Sequence, residues 1–280
     1  MIPSAWQITN VIDLDDPRLT AYRNLTDMDL RMRQEVDGGY FMAEGMLVIE
    51  RAYQLGLHID SVLTTSRWLE RLSSILRDWQ GDVFVVEDAR ELTGYRVHRG
   101  ALAEVRRPPG RSVSAIAAEG GNLLVLEDLV DHTNVGLAFR SAAALGISGV
   151  VISPACADPL YRRSVKSSMG AVLALPWARS REWSADLAEL ASSRTLLALT
   201  PDEQAQSIDV ALRDRRHRDV ALLVGTEGPG ITPVARSLAQ AEARIPMSGG
   251  IDSLNVAAAT AVACYALRMT ARASDDGETP

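Results

Sequence analysis

The chain has 280 residues, of which 47% are apolar and 23% charged, and its net charge is -7. This composition is typical of a globular protein of about two domains, and it excludes collagen-like, low-complexity and disordered chains. No apolar run reaches the roughly 20 residues that a membrane helix needs, and the first residues show no signal peptide, so we expect a cytoplasmic protein without a membrane segment. Cys156 and Cys264 are too few for a disulfide framework or a four-cysteine zinc site, and we expect two buried thiols and no metal.

The negative net charge does not exclude a nucleic-acid partner, because phosphate binding needs only a local basic face. Arginines concentrate in one stretch before residue 112, and this cluster is a candidate RNA-binding surface. Its members are Arg96, Arg99, Arg106, Arg107 and Arg111. The alternative interpretation of such a cluster is an ordinary solvated surface.

The first hundred residues predict a small α/β domain. Asp16-Pro17 favours a helix start, with proline in the first turn. The spacing of apolar residues then predicts the remaining elements. These are helices over Met28–Val36, Glu44–Leu55 and Arg67–Trp79, and strands over Tyr40–Ala43, Ile59–Leu63 and Val83–Val86.

Two prolines and a glycine at 108–110 interrupt both helix and sheet, and predict a domain boundary there. We expect a first domain over 1–110, a second over 111–272 and a disordered acidic tail over 273–280. In the second domain, short apolar strands alternate with helices, which is typical of a parallel sheet covered on both faces. The strands are Leu123–Leu126, Gly149–Ile152, Ala171–Leu175, Thr195–Leu199 and Val220–Val224, and the helices lie around Val135–Leu145, Leu160–Val165, Trp183–Ala191 and Leu254–Met269.

Three unusual loops fall at the carboxyl ends of these strands, where ligands bind in such sheets. They span residues 127–136, 225–230 (the glycine loop) and 245–256. The glycine loop matches neither the dinucleotide pattern nor the P-loop, and its carboxylate, Glu227, suits hydroxyl or ammonium recognition better than phosphate binding.

Helix capping is the alternative explanation for Asn134, Ser253 and Asn255. It does not account for Arg140, an arginine in an apolar helix, which requires an anion or a partner surface. His132 lies near Asn134 and is a candidate general base, with loop surface as the alternative.

Taken together, the loops resemble the three signature motifs of the SpoU/TrmH family of RNA ribose methyltransferases, in the SPOUT superfamily. The similarity covers about residues 120–270. The matching segments are Asn134-Val135-Gly136 with Arg140, Leu223 to Gly228, and Ile245-Pro246-Met247 through Ser253-Leu254-Asn255-Val256. The N-terminal part resembles, more loosely, the substrate-binding domain often fused to these enzymes, through Ala43-Glu44-Gly45 and His98-Arg99-Gly100.

The resemblance implies an α/β domain with a deep trefoil knot, S-adenosyl-L-methionine as cofactor, and a homodimer with its active site at the subunit interface. The residues that would line the cofactor pocket are Leu199, Thr200, Gly225, Glu227, Ile245, Met247, Leu254 and Asn255. The catalytic group would consist of Asn134, Arg140, Glu227, Ser253 and Asn255. The departures from the family pattern are modest: His132-Thr133 replaces a frequent proline, and Thr226 and Asp252 replace a frequent Asn and Glu.

The resemblance predicts methyl transfer to a ribose 2′-oxygen of RNA, and the appended N-terminal domain favours ribosomal RNA over tRNA by analogy of architecture. A guanidinium is always protonated in proteins, so we expect Arg140 to bind phosphate and stabilise developing negative charge rather than to act as a base. The alternatives are a tRNA ribose methyltransferase, an antibiotic-resistance methyltransferase acting on large-subunit RNA, and a non-catalytic RNA-binding or ribosome-assembly factor.

Overall fold

The computed structural model describes residues 3–95, 100–213, 219–249 and 252–275. The chain divides into two compact units. The first comprises Met1–Pro109 with Leu160–Leu173, and the second comprises Gly110–Pro159 with Ala174–Pro280. The first unit thus takes in residues 160–173, which the sequence assigns to the second domain.

The first unit is built on a mixed five-stranded sheet. Its strands are β1 (Trp6–Asn10), β2 (Tyr40–Glu44), β3 (Ile59–Thr64), β4 (Gly81–Val85) and β5 (Ala101–Arg106). Their order is β1-β4-β3-β5-β2, in which β5 runs antiparallel to both of its neighbours. The helices before residue 110 are two 3₁₀ helices (Pro17–Tyr22 and Ser66–Trp68), α1 (Met28–Asp37), α2 (Met46–Gln54), α3 (Leu69–Ile75) and α4 (Arg90–Thr93).

The first helix begins where the sequence predicts, because Asp16 accepts a hydrogen bond from Arg18 N at 2.9 Å. α3 ends at Ile75, short of the predicted end at Trp79. Beyond α3 the chain turns so that the Trp79 indole N–H donates to Ile59 O at 3.1 Å, and tertiary packing thus ends the helix early. The sequence does not predict β1, α4 or β5. β5 lacks a run of β-branched residues, and its strand character comes from pairing between β3 and β2.

The second unit contains a seven-stranded sheet whose paired strands are all parallel, as predicted. The order is β10-β12-β9-β11-β6-β7-β8. The strands are β6 (Leu123–Leu126), β7 (Gly149–Ile152), β8 (Trp177–Arg179), β9 (Thr195–Leu199), β10 (Gln206–Ser207), β11 (Val220–Val224) and β12 (Ala241–Arg244). The predictions for β6, β7, β9 and β11 are confirmed to the residue.

The helices of the second unit connect its strands. They are α5 (Val113–Ala118), α6 (His132–Ala144), α9 (Trp183–Ser193), α10 (Ile208–Arg213), α11 (Pro233–Leu238) and α12 (Val256–Asp275). Between α6 and α9 in the chain, α7 (Arg162–Ser167) belongs to the first unit, where it packs against β2, and α8 (Ala171–Ala174) follows it at the boundary. The strand predicted over Ala171–Leu175 is wrong, because this segment forms α8 and the strand follows it as β8. A short apolar run does not distinguish strand from helix. α12 continues through Asp275, so residues 273–275 of the predicted tail are helical, and residues 276–280 lie outside the described residues.

The strand order creates a switch point. β6, β7 and β8 proceed in one direction across the sheet, whereas β9 crosses to the other side and β11 inserts between β9 and β6. In open parallel sheets, ligands bind at the carboxyl ends of strands beside such a switch. In this sheet that edge carries all three of the loops singled out from the sequence.

Both cysteines are buried thiols, as predicted. Burial raises the pKa of the Cys264 thiol to about 12, and it also raises the pKa of Cys156. Within the described residues, no helix is long and apolar enough to cross a membrane. In the same residues, no three metal-binding side chains are grouped as a metal site would require.

Candidate active site

Side chains from all three loops meet at the carboxyl edge of the seven-stranded sheet. Glu227 Oε1 accepts hydrogen bonds from Asn255 Nδ2 at 2.8 Å and from Asn134 Nδ2 at 3.3 Å. Asn255 Nδ2 also donates to Asn134 Oδ1 at 3.2 Å. These side chains come from the first turn of α6, the glycine loop and the residue before α12. We refer to them as the Asn134–Glu227–Asn255 network.

Helix capping explains only part of this arrangement. Asp131, rather than Asn134, caps α6, because its carboxylate accepts from Asn134 N at 2.8 Å. The Asn134 side chain is therefore available to the network. Asn255 does act as a cap, since its Oδ1 accepts from Ala257 N at 3.0 Å, while its Nδ2 donates to the network. One asparagine thus fixes the start of α12 and joins the three loops.

The glycine loop folds back on itself. A Cβ on Gly225 would lie 2.4 Å from the carbonyl carbon of Gly230, so no larger residue fits at this position. Gly230 has a φ of +72°, in the left-handed region that favours glycine, and its N–H donates to Thr226 O at 3.1 Å. The fold of the loop places the Glu227 carboxylate within reach of both asparagines.

Glu127 positions the glycine loop, although its place in the sequence does not predict such a role. It follows β6 directly and is only 1% exposed. Its Oε2 accepts from Thr232 N at 2.8 Å, and its Oε1 accepts from Thr232 Oγ1 at 2.7 Å and from Trp183 Nε1 at 2.5 Å. Its own backbone N–H donates to Val224 O at 2.9 Å.

Glu127 therefore holds the chain on both sides of the glycine loop, at Val224 before it and at Thr232 after it. A buried carboxylate is tolerated only when hydrogen bonds satisfy it, and here three donors do so. The signal in the sequence was a carboxylate immediately after the four apolar residues of β6.

Arg140 and Ser253 are not hydrogen-bonded to the network. Arg140 lies on α6 with its side chain exposed, and Ser253 is exposed just before Leu254. Neither side chain makes a hydrogen bond or an ion pair with any other residue that the structure describes. The Arg140 guanidinium and the Ser253 hydroxyl are thus open to a ligand, whereas the network residues already bind one another.

The predicted cofactor residues share one edge of the sheet. β9 lies between β11 and β12, with Leu199 aligned to Val224 on one side and to Ala243 on the other. The ends of these strands lead directly into Thr200, Gly225 and Ile245. Three apolar side chains at this edge, those of Leu199, Ile245 and Met247, are half-buried, and that of Leu254 is 39% exposed. Partly open apolar side chains beside glycine backbone fit a ligand with flat apolar and aliphatic parts.

The predicted RNA-binding arginines are engaged within the chain where they are described. Arg106 pairs with Asp60 through Nη2 at 2.9 Å, and Arg111 pairs with Glu119. Arg107 Nε donates to Tyr40 O at 2.9 Å. Arg96 and Arg99 lie outside the described residues, as do His98 and the arginines at 215, 216 and 218. The RNA-binding role of this cluster stays a prediction.

His132 does not lie on the loop surface that the alternative interpretation expected. It is the first residue of α6, and its side chain is only 6% exposed. A general base must reach the proton that it removes. The imidazole is therefore shielded from solvent rather than presented to a substrate.

Comparisons with known proteins agree with this geometry. A sequence profile of the SpoU rRNA Methylase family matches residues 121–265. The chain is 39% identical over 266 residues to an uncharacterized tRNA/rRNA methyltransferase of Mycobacterium bovis, covering 94% of this chain and 92% of that protein. It is 33% identical over 151 residues to the 23S rRNA (guanosine-2'-O-)-methyltransferase RlmB of Xanthomonas campestris, covering 53% of this chain and 59% of that protein.

Solved structures share the fold. The AdoMet-bound rRNA methyltransferase from Sinorhizobium meliloti superposes with a TM-score of 0.76 at 24% identity, covering 95% of this chain and 98% of that chain. The SpoU methyltransferase AviRb from Streptomyces viridochromogenes, in complex with AdoMet, has a TM-score of 0.76 at 23% identity, covering 92% of this chain and 100% of that chain. The α/β fold with a parallel sheet predicted from the sequence is thereby confirmed.

Proposed function

The chain belongs to the SpoU rRNA methylase family, and on that premise we propose that it transfers the methyl group of S-adenosyl-L-methionine to a ribose 2′-oxygen of ribosomal RNA. The observation that carries this proposal is the Asn134–Glu227–Asn255 network, which joins residues of all three predicted motifs. Network residues separated by as many as 121 positions are hydrogen-bonded to one another. A non-catalytic RNA-binding factor would not need this arrangement.

The residues at the sheet edge fit the proposed cofactor. Half-buried Leu199, Ile245 and Met247 provide apolar surface for an adenine ring and an aliphatic chain, beside the backbone of Gly225. Glu227 adds a carboxylate, which favours a cationic ligand at this edge. When bound, S-adenosylmethionine supplies a methyl group activated by a positively charged sulfur.

Arg140 is the residue best suited to act on the acceptor oxygen. In the transfer, the 2′-oxygen would form a bond to the methyl carbon as the carbon–sulfur bond of the cofactor breaks, and the hydroxyl proton would pass to a base or to water. Negative charge develops on that oxygen as its proton leaves. A permanently protonated guanidinium stabilises such charge and binds a neighbouring phosphate through two parallel hydrogen bonds. Arg140 has no internal partner among the described residues that would compete for either role.

The remaining residues orient the reactants. Ser253 presents a free hydroxyl immediately before Leu254 and Asn255, and with Asn134 it positions the ribose. Glu227 and Asn255 hold the three loops together through their hydrogen bonds. Because the transfer is an in-line displacement, orientation of this kind accounts for much of the rate.

The preference for ribosomal RNA follows from the appended first unit and from the similarity to an enzyme of Xanthomonas campestris named for 23S rRNA. The proposal places the enzyme in the cytoplasm. The trefoil knot stays a prediction and belongs to the same proposal.

The proposal includes a homodimer. α12 carries apolar side chains at helical spacing on an exposed face, namely Ala258, Val262, Tyr265 and Met269. Three of them are large and between 40% and 55% exposed. An exposed apolar stripe of this kind marks an interaction surface, and a second copy of the chain is its proposed occupant. α12 begins directly after Asn255, so a dimer formed here would lie beside the network.

Transfer of radiolabelled methyl groups to separated RNA fractions tests the function. We expect labelling of ribosomal RNA by the wild type and labelling about 10²- to 10³-fold slower by Arg140→Ala. Labelling of tRNA alone would support methyl transfer to RNA but would show that the substrate is tRNA. Absence of labelling in both fractions, with cofactor binding intact, would contradict the proposal for free RNA.

A further inference from the structure

The first unit contains a cavity of about 300 Å³ that the proposed reaction does not use. Its wall is formed by the start of α2, by Trp68 and Arg71, and by Lys166 and Met169 of the segment that joins this unit later in the chain. Met46 and Leu47 add apolar surface beside Trp68. This volume is at the lower end of small-ligand sites and fits one nucleoside better than a peptide helix.

Two arginines contact the indole ring of Trp68. The guanidinium carbon of Arg67 lies 5.2 Å from the ring centroid, and that of Arg71 lies 6.0 Å from it. Neither guanidinium forms an ion pair with a residue in the described part of the chain. In this they differ from Arg106 and Arg111, which are each paired with a carboxylate.

The charge of the wall is positive. Among the described residues, Glu44 is the one carboxylate that lines the cavity, and it is buried. Its Oε2 accepts from Arg162 Nη1 at 2.7 Å and its Oε1 accepts from Lys166 Nζ at 2.5 Å. Two cations therefore neutralise this single carboxylate, and no carboxylate among the described residues pairs with Arg71.

We propose that this cavity, which we call the Trp68 cavity, binds one unpaired nucleotide of the RNA substrate. The base packs against Trp68 and the neighbouring apolar side chains, and the flanking phosphates bind Arg67 and Arg71. Aromatic surface combined with arginine is the usual means by which proteins hold single-stranded RNA. The inference rests on the proposed function, because it takes RNA as the substrate.

The charge of the cavity favours RNA over a protein partner. A protein groove of this size would be expected to pair its arginines with acidic side chains, at the cost of desolvating both. A nucleotide brings its own phosphates, and these remain partly solvated while they are bound. The sequence did not single out Arg67 or Arg71, because they stand apart from the dense arginine cluster.

The test uses the full-length chain and fluorescein-labelled single-stranded RNA from the region that the wild type methylates, or from ribosomal RNA if it methylates none. We expect Trp68→Ala to weaken RNA binding about 5- to 50-fold, as loss of one stacked base does. Arg71→Gln is expected to weaken binding and to reduce the log–log salt slope by roughly 0.7. Arg77→Gln is the matched control, since it removes an equal charge from an exposed site that does not line the cavity.

Two further measurements separate this inference from the proposed function. Trp68→Phe keeps an aromatic ring and should bind RNA nearly as well as the wild type. The melting temperatures of Trp68→Phe and Trp68→Ala show whether weak binding by the alanine variant comes from a folding defect. Photo-cross-linking with 4-thiouridine-substituted RNA should label the peptide that contains Trp68. If the wild type methylates RNA but Trp68→Ala and Arg71→Gln bind RNA as well as Arg77→Gln does, and no cross-link maps to this peptide, the inference is wrong while the function stands. If RNA binding depends on Trp68 and Arg71 but no methyl transfer occurs, the inference stands and the function fails.

Discussion

The polar side chains of the network in the second unit have hydrogen-bond partners within the chain. The guanidinium groups beside the Trp68 cavity in the first unit have no ionic partner among the described residues. In the network, the side chains of Asn134, Glu227 and Asn255 are hydrogen-bonded to one another. At the Trp68 cavity, the guanidinium groups of Arg67 and Arg71 lie near an indole ring and form no ion pair with a described residue. Preorganised groups avoid the cost of reorganisation during a reaction, whereas unpaired cations provide binding energy to an anionic ligand.

The same contrast separates residues within the proposed active site. Arg140 and Ser253 are exposed and lack internal partners in the described residues, as the cavity arginines do. We interpret the network as the frame of the site, and Arg140 and Ser253 as the groups that contact RNA. The following predictions separate a defect in the frame from a defect in contact with the substrate.

The largest expected effect is that of Arg140→Ala. Loss of the charge that stabilises the acceptor oxygen should lower the single-turnover methylation rate about 10²- to 10³-fold. Binding of S-adenosylmethionine, measured by calorimetry, should stay unchanged, because Arg140 lies outside the frame. Arg140→Lys keeps the charge but loses bidentate geometry, and a rate close to the wild type for this variant would contradict the proposed contact.

Asn255→Asp breaks the frame while preserving the helix cap. The aspartate still accepts from Ala257 N, but it places a second carboxylate oxygen beside Glu227 Oε1, where Nδ2 now lies at 2.8 Å. We expect cofactor binding and methylation to fall by about 10-fold or more, since like charges at this distance repel by more than 1 kcal/mol. The melting temperature should fall less than for Asn255→Ala, which also loses the cap. Equal activity of Asn255→Asp and the wild type would show that the network is not needed.

Glu127→Gln weakens the support of the frame. An amide cannot accept from Thr232 N and Trp183 Nε1 through both of its heavy atoms, so one buried donor loses its partner. We expect a loss of about 1–3 kcal/mol in the free energy of unfolding. The dissociation constant of S-adenosylmethionine should rise several-fold, with the KM for RNA unchanged. If the affinities for S-adenosylmethionine and for RNA both fell in proportion to the loss of stability, Glu127 would have only a structural role.

Tyr265→Glu tests whether the chain forms a dimer through α12, beside the network. The substitution places a charge in the exposed apolar stripe of α12, and sedimentation equilibrium should show weaker self-association. Mixed dimers of Arg140→Ala with Ser253→Ala extend the test. Restored activity in the mixture would show that the two residues complete one site from different subunits.

The smallest expected effect concerns acid stability. Burial opposes ionisation of Glu44, but hydrogen bonds from Lys166 and Arg162 outweigh it and lower the pKa of this carboxylate. A lowered pKa means that the stabilisation is present above the unfolded-state pKa of about 4.3 and is lost as the pH falls toward the folded-state value. The melting temperature of the wild type should thus decrease below pH 4 relative to that of Glu44→Gln. Parallel pH profiles of the two proteins would contradict this assignment.

The sequence predicted the carboxyl edge of the seven-stranded sheet more completely than the rest of the molecule. Four strands were placed to the residue because continuous apolar runs are typical of strands buried on both faces. The motifs then identified Asn134, Glu227 and Asn255, which the structure joins. β10 and β12 escaped prediction because they are short and lack apolar runs, and their strand character comes from pairing at the edge.

Residues whose role depends on tertiary contacts were not predictable. Glu127 is one of several acidic residues in its loop, and only the folded chain shows that three donors converge on it. The arginine cluster is the opposite case, because it is prominent in the sequence but its described members have partners within the chain. Dense charge in the sequence predicted an RNA surface, but Arg106 and Arg111 are paired with carboxylates that lie elsewhere in the sequence.

The most direct test of the central claim is to locate the transferred methyl group. RNA methylated by the wild type and by Arg140→Ala would be digested to nucleosides and analysed by mass spectrometry. At equal, early reaction times, we expect a 2′-O-methylnucleoside with the wild type and about 10²- to 10³-fold less of it with Arg140→Ala. A methyl group on a base, or an equal yield of ribose methylation from both proteins, would contradict the proposed chemistry.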